Sequence, residues 1–350
     1  MRPVLAVLGT RPEAVKLAPV VFALRARGVP CKIAGTGQHR ELQNDTLREL
    51  GLRPDFDLRL MPEGRDLNER AAGALKGLGA LLRRVNPQLV VVQGDTTTAF
   101  MGALAAFHEG VRVAHVEAGL RTHDMRSPFP EELNRLAIDA MSNLRFAPTK
   151  RALKALGGKG LLTGNTGLDS LKRFAGKTED GGFILFTVHR RETLGEPLTG
   201  LCKALETLLD ERPELRVVWP VHQNPEVRTA AARLRGHPRA ILLPPVAYKE
   251  SARLLATCRF VMTDSGGLQE EAPFLGKPVL VLRRVTERPE AVEAGAALLG
   301  GVDPAKVLRL ARRLLDDEAL YRRMAKPRQI FGDGRSGEHV ARAIAAYLKA

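Results

Sequence analysis

The stretch Val261-Met262-Thr263-Asp264-Ser265-Gly266-Gly267-Leu268-Gln269-Glu270-Glu271 has the features of an anion site. A buried strand ends at Thr263, a Ser-Gly-Gly turn follows, and a helix opens near Leu268. Two glycines let a ligand approach the backbone, and the N–H groups of a new helix attract negative charge. Ser265 can cap that helix or donate its hydroxyl. Glu271, about one turn in, can accept hydrogen bonds from sugar hydroxyls. His189, His222 and Arg288 each follow another short apolar run in the same half of the chain. Beside an anion-binding turn, the two histidines read as part of a phosphate site.

The first half of the chain supplies acids and cations in a similar way. Arg11, Asp95 and Glu117 each lie just past the end of a short apolar run, and Lys16 is one helical turn beyond the first. Glu131 and Arg135 stand where a proline-stiffened loop enters a helix. Their i, i+4 spacing places them on one face, where they can pair. The sharper expectation is a third carboxylate delivered to the same place with a cation beside it.

Collecting these groups requires strands that all end on one edge. The runs 2–8, 31–35, 87–95 and 112–117 are short and apolar, and helical segments alternate with them, among them 12–27 and 67–85. Thr10 and Glu13 have capping-box spacing, with Pro12 acceptable in the first turn. This alternation indicates a parallel sheet covered on both faces, whose ligands bind at the carboxyl edge of the strands. It pauses at Gly164-Asn165-Thr166-Gly167 and restarts with strands at 183–188, 215–221, 240–243, 259–263 and, as the last, 278–282. Two domains are expected, 1–166 and 167–336, with a final helix of about 337–350 returning to the first.

Composition narrows the function. The chain has 350 residues, of which 44% are hydrophobic, enough for the cores of two domains. No run approaches the roughly 20 apolar residues that span a bilayer, and no signal-peptide pattern opens the chain, so a cytoplasmic protein without membrane insertion is expected. Cys31, Cys202 and Cys258 are dispersed in apolar company and read as buried thiols. The net charge of +15 is mostly arginine spread over helices, without a dense basic block. That suits anionic small substrates better than nucleic acid. Zinc spacing, a P-loop, a three-glycine dinucleotide fingerprint and a G-x-S-x-G elbow are all missing, so no cofactor is expected, neither metal nor nicotinamide.

With these residues assembled, the chain resembles the non-hydrolysing UDP-N-acetylglucosamine 2-epimerases almost end to end. The segments that carry the resemblance include Gly9-Thr10-Arg11-Pro12-Glu13, Gly94-Asp95-Thr96-Thr97-Thr98, His115-Val116-Glu117-Ala118-Gly119-Leu120-Arg121-Thr122, Pro130-Glu131-Glu132, His189-Arg190-Arg191-Glu192, Thr263-Asp264-Ser265-Gly266-Gly267 and Thr286-Glu287-Arg288-Pro289-Glu290. The resemblance implies an α/β, GT-B-like pair of Rossmann-like domains with the substrate in the cleft, usually as a homodimer. It also implies inversion at C2 of UDP-N-acetylglucosamine through loss and return of UDP. Proton delivery to both faces of C2 needs more than one carboxyl group, and clustered acids raise one another's pKa. On this basis Asp95 and Glu131 are the expected proton-transfer pair, Glu117 a supporting acid and Arg135 their positioner. Arg11, His189 and the Gly266-Gly267 helix end are expected to stabilise the departing diphosphate. Glu271 is expected to hold the ribose and Ser265 the phosphates. In some bacterial members a second substrate molecule activates the enzyme, and the matching positions are Gln38, Arg65, Glu131, Arg190 and His222. A hydrolysing epimerase is the nearest alternative reading, and a basic nucleic-acid-binding protein the one from a different class.

Overall fold

The protein is described here from a computed structural model covering residues 2–38, 40–60 and 66–350. The chain divides into two compact units, Met1–Lys172 with Phe331–Ala350, and Arg173–Ile330.

In the first unit the described strands are β1 (Val4–Leu8), β2 (Cys31–Gly35), β3 (Phe56–Asp57), β4 (Leu89–Gln93), β5 (Arg112–Val116), β6 (Leu144–Ala147) and β7 (Leu161–Leu162). They form one parallel sheet in the order β3-β2-β1-β4-β5-β6-β7. The chain therefore runs outward from β1 in one direction, crosses back, and continues outward from β4 in the other. Every residue of β1 and β4 is buried, as expected of central strands covered on both faces. Leu5, Val7, Val90 and Val92 pack against Leu78, Leu82, Ala103 and Ile138 on one of those faces.

The second unit repeats the plan with β8 (Phe183–Thr187), β9 (Arg216–Pro220), β10 (Ala240–Leu243), β11 (Phe260–Thr263), β12 (Val279–Val281) and β13 (Ala297–Leu299). The order is β10-β9-β8-β11-β12-β13, again all parallel. Its core includes Trp219 set edge-on to Phe186, with ring centres 4.7 Å apart. Both units are thus Rossmann-like, the domain pair of a GT-B-like protein. β13 was not expected beyond 278–282. It is three residues of Ala and Leu, a composition with no strand signature of its own, held by pairing with β12. The two-residue strands β3 and β7 escape sequence reading because they are too short to show a period.

The hand-over between units also differs from the expected 166/167 and 336/337. The helix Gly167–Phe174 begins on the first unit, where the Ser170 hydroxyl donates to the Val15 carbonyl at 2.8 Å. The Asp169 carboxylate accepts from the backbone N–H groups of Ser336 (3.0 Å) and Gly337 (2.8 Å), which open the helix Ser336–Tyr347. That last helix packs on the first one, Arg11–Ala26, where the Gly337 backbone lies against Pro19. Residues 167–172 and 331–336 therefore belong to the N-terminal unit.

Glu13 does more than its spacing predicts. The Thr10/Glu13 capping box is present, and the Glu13 carboxylate also takes the Gly9 N–H at 3.0 Å and the Thr96 hydroxyl at 2.6 Å. It is wholly buried, and burial raises its pKa although all these donors work against the rise. One side chain thus ties the turn after β1 to the turn after β4. Glu13→Ala leaves several buried donors without an acceptor and is expected to cost about 3 kcal/mol of unfolding free energy. Urea titration of the two proteins checks this, and an unchanged midpoint would refute it.

Candidate functional site

Reversal of strand order creates a crevice at the carboxyl ends of the two central strands of each sheet. In the N-terminal unit those strands are β1 and β4. Arg11 opens the helix after β1, and Asp95 follows Gly94, which turns with φ +68°. β5 lies beside β4, with Val116 paired to Gln93, so Glu117 leaves the sheet next to Asp95. Glu117 itself has φ +70°, a left-handed conformation that costs a non-glycine residue about 1 kcal/mol. Its Oε2 receives the Gln93 side-chain amide at 2.6 Å and forms an ion pair with Lys16.

Glu131 is the first residue of the helix Glu131–Met141. From the next turn of that helix, the Asn134 amide donates to the Asp95 carbonyl at 2.8 Å and Arg135 Nη2 donates to Asp95 Oδ2 at 2.7 Å. Arg135 Nη1 is 3.3 Å from Glu132, whose carboxylate also accepts from the backbone N–H groups of Thr122 and His123. The expected i, i+4 partner of Arg135 was Glu131, yet its described bonds run to Asp95 across the sheet edge and to Glu132. One helix and two strand ends therefore place Asp95, Arg135, Glu117 and Lys16 at one edge of the sheet, and Glu131 opens that helix. Gln93, Asn134 and Glu132 were not singled out from sequence. Nothing in their local spacing signals contacts set by the register of strands and helix.

In the C-terminal unit the central strands are β8 and β11. Asp264, just past β11 and fully buried, is the organising group, and it went unassigned in the sequence reading. Its Oδ2 accepts from the backbone N–H groups of His189 (2.9 Å) and Arg190 (2.8 Å), and its Oδ1 is 3.2 Å from His189 Nδ1. Burial alone would raise the Asp264 pKa. The His189 ring and the two backbone donors outweigh burial and hold it below the usual carboxylate range. The His189 and His222 rings stack with centres 5.6 Å apart. Burial lowers the His222 pKa, the neighbouring His189 lowers it further, and Asp264 only partly opposes them, which favours the neutral ring.

The helix Gly266–Phe274 starts two residues past Asp264, with Ser265 at its N-cap. Ser265 makes no side-chain cap, which corrects one of the two roles expected of it and leaves its hydroxyl for another. The backbone amides of Gly266 and Gly267 begin this uncapped helix. Arg288 is buried beside the Gly266 backbone, with Nε on Glu270 at 2.6 Å and Nη1 on Glu287 at 2.9 Å. Glu271 receives the Tyr248 hydroxyl at 3.4 Å. Of the other expected positions, Gln38 accepts from the Thr98 hydroxyl at 2.9 Å, and Arg190 begins the 3-10 turn Arg191–Thr193. Arg65 lies outside the described residues. No group of three or more His, Cys, Asp or Glu suited to a metal occurs among the described residues. Among them, too, no helix is long and apolar enough to cross a membrane.

Residues 23–345 match the family model described as UDP-N-acetylglucosamine 2-epimerase. The chain belongs to that family. The UDP-N-acetylglucosamine 2-epimerase of Bacillus subtilis (strain 168) is 42% identical over 354 residues, covering 96% of this chain and 93% of that protein. The solved complex of S. aureus MnaA with UDP superposes with a TM-score of 0.93 at 38% identity, covering 100% of this chain and 97% of that one. The Neisseria meningitidis UDP-GlcNAc 2-epimerase, solved with UDP-GlcNAc, gives 0.91 at 35% identity, covering 99% of this chain and 100% of that one. The family's name fits a chain whose two sheet edges carry an acid cluster and an uncapped helix with paired histidines.

The Asp264 arrangement has a measurable consequence. Its folded pKa is below that of the unfolded chain, about 3.9. The stabilisation is therefore complete above that value and disappears as pH falls through the folded pKa. Asp264→Asn is expected to lose about 2 kcal/mol of stability at pH 7, with the gap narrowing below about pH 4. Denaturant titrations at stepped pH measure it, and a gap that stays constant would disprove the linkage.

Proposed function

We propose that the protein interconverts UDP-N-acetylglucosamine and UDP-N-acetylmannosamine by eliminating and re-adding UDP, without net hydrolysis. The observation that supports this most directly is the acid cluster at the β4 and β5 ends, with Asp95 held by Arg135 and Asn134 from the helix that Glu131 opens. Family membership supplies the substrate class.

The C2 hydrogen of the sugar is weakly acidic, so its removal must be coupled to departure of UDP. A carboxylate takes the proton, the C2–H electron pair forms the C1–C2 double bond, and the C1–O bond breaks with its electrons leaving on UDP. The intermediate is 2-acetamidoglucal beside UDP. A carboxylic acid then protonates C2 from the other face while the UDP oxygen returns to C1. Two carboxyl groups in opposite protonation states suffice for both steps, and we assign them to Asp95 and Glu131. Glu117, with Lys16 and Gln93 on one oxygen, supports the sugar. The guanidinium of Arg135 fixes which Asp95 oxygen is engaged.

We assign the leaving diphosphate to Arg11, His189 and the Gly266-Gly267 amides, with Ser265 contributing its hydroxyl. Uncapped N–H groups at a helix start stabilise charge that grows as the bond breaks, which lowers the barrier rather than merely tightening binding. Glu271, steadied by Tyr248, is assigned to the ribose. Arg288, buried beside Gly266, keeps positive charge close to the phosphates.

Proton NMR of the reaction in D2O tests the reading. The expected products are both epimers carrying deuterium at C2. Free N-acetylmannosamine with UDP would instead establish the hydrolysing reaction. Asp95→Asn and Glu131→Gln are each expected to lower kcat by about 100-fold or more, the effect of removing a general acid or base. Near-normal turnover in both would overturn their assignment.

A further inference from the structure

The reaction places two acids at neighbouring strand ends, and one buried side chain between those ends has no role in it so far. His115 is in β5, fully buried, two residues before Glu117. Its Nε2 lies 2.8 Å from the carbonyl oxygen of Gly94, the residue before Asp95. Its Nδ1 lies 2.6 Å from Asp139 Oδ1. The other Asp139 oxygen accepts from Arg121 Nη2 at 2.6 Å and from the Gly119 N–H at 3.2 Å. The imidazole thus sits between the turn that presents Asp95 and the carboxylate that holds the loop after Glu117.

We infer that His115 is a positioning residue for the epimerisation, a ring bonded through both nitrogens that fixes Asp95 and Glu117 relative to each other. A carbonyl oxygen can only accept, so Nε2 carries hydrogen. Nδ1 meets Asp139, whose other oxygen is held by a guanidinium and a backbone N–H. A buried ring bonded on both sides allows little rotation of either partner. That rigidity matters here because Glu117 (φ +70°) lies in the left-handed region, where surrounding contacts must hold a non-glycine backbone, and Gly94 (φ +68°) has no side chain to restrict its own. The Gly94 N–H to Val116 carbonyl bond of 3.0 Å closes the same turn from the other side.

The inference rests on the proposed reaction for its kinetic arm only. His115→Phe keeps the ring volume without either nitrogen. It is expected to lower kcat about 30- to 100-fold, with KM and UDP affinity changed less than about threefold, the signature of displaced reacting groups beside intact nucleotide binding. His115→Gln retains a donor within reach of Gly94 and is expected to recover part of the loss. Normal kcat in a folded His115→Phe protein would overturn the role. The second measurement needs neither activity nor a variant that folds well. With 15N-labelled histidine, the His115 signal of the wild-type protein is expected to show a hydrogen on Nε2, the nitrogen that faces the Gly94 carbonyl. A bare Nε2 would overturn the inference. If the wild-type protein fails to turn over UDP-N-acetylglucosamine, the reaction assignment falls while the nitrogen measurement still decides the network.

Discussion

Parallel strands leave their carboxyl ends on one side, and that constraint organises this molecule. A sheet built outward in two directions from its centre cannot close the gap where its order reverses, so the turns after the two central strands stand apart and open. Each unit fills that position with polar groups. In the N-terminal unit the turns after β1 and β4 carry Arg11 and Asp95, joined underneath by Glu13. In the C-terminal unit the turns after β8 and β11 carry His189 and the Ser-Gly-Gly helix start, joined by Asp264. A buried carboxylate that ties two turns together is the common device in both: Glu13 accepts from the backbone of its own turn and from the Thr96 hydroxyl, and Asp264 from the backbone of the turn after β8.

The parts of this arrangement that were legible in sequence are those fixed locally. Strand ends followed by helix starts locate Arg11, Asp95, Glu117, His189 and Gly266, because an apolar run has a readable end. The Thr10/Glu13 capping box was legible for the same reason. What sequence could not supply is register. Arg135 bonds Asp95 rather than Glu131 because the helix Glu131–Met141 packs with its second turn over the β4 end, a placement settled by the core around Ile138. Asp264, Asp139 and Glu132 are ordinary acids in the sequence and acquire meaning only from the backbone donors that surround them. The missed strand β13 is a milder case, since Ala297–Leu299 becomes a strand through the edge of β12 that it pairs with.

The charge of the protein now has a more specific reading. Many of its arginines are engaged at short range by carboxylates, as in Arg121–Asp139, Arg135–Asp95 and Arg288–Glu270. These pairs lie near the carboxyl edges, where they orient acids or backbone. Their worth is geometric more than energetic, because a buried ion pair recovers little beyond its desolvation cost. Guanidinium suits the work, since its planar fork can bind a carboxylate while directing another donor elsewhere. Arg288 does this with two different acids at once.

The link between Asp169 and the amides of Ser336 and Gly337 has a consequence for how the chain matures during synthesis. The N-terminal unit needs its last helix, Ser336–Tyr347, which covers the first. While a ribosome is still making the middle of the chain, the first sheet exists with the apolar face of its opening helix uncovered. The C-terminal unit, made of one continuous segment, is complete earlier although it begins later. The half that starts emerging first is thus the half that finishes last, because the helix that covers its opening helix is made after the whole C-terminal unit.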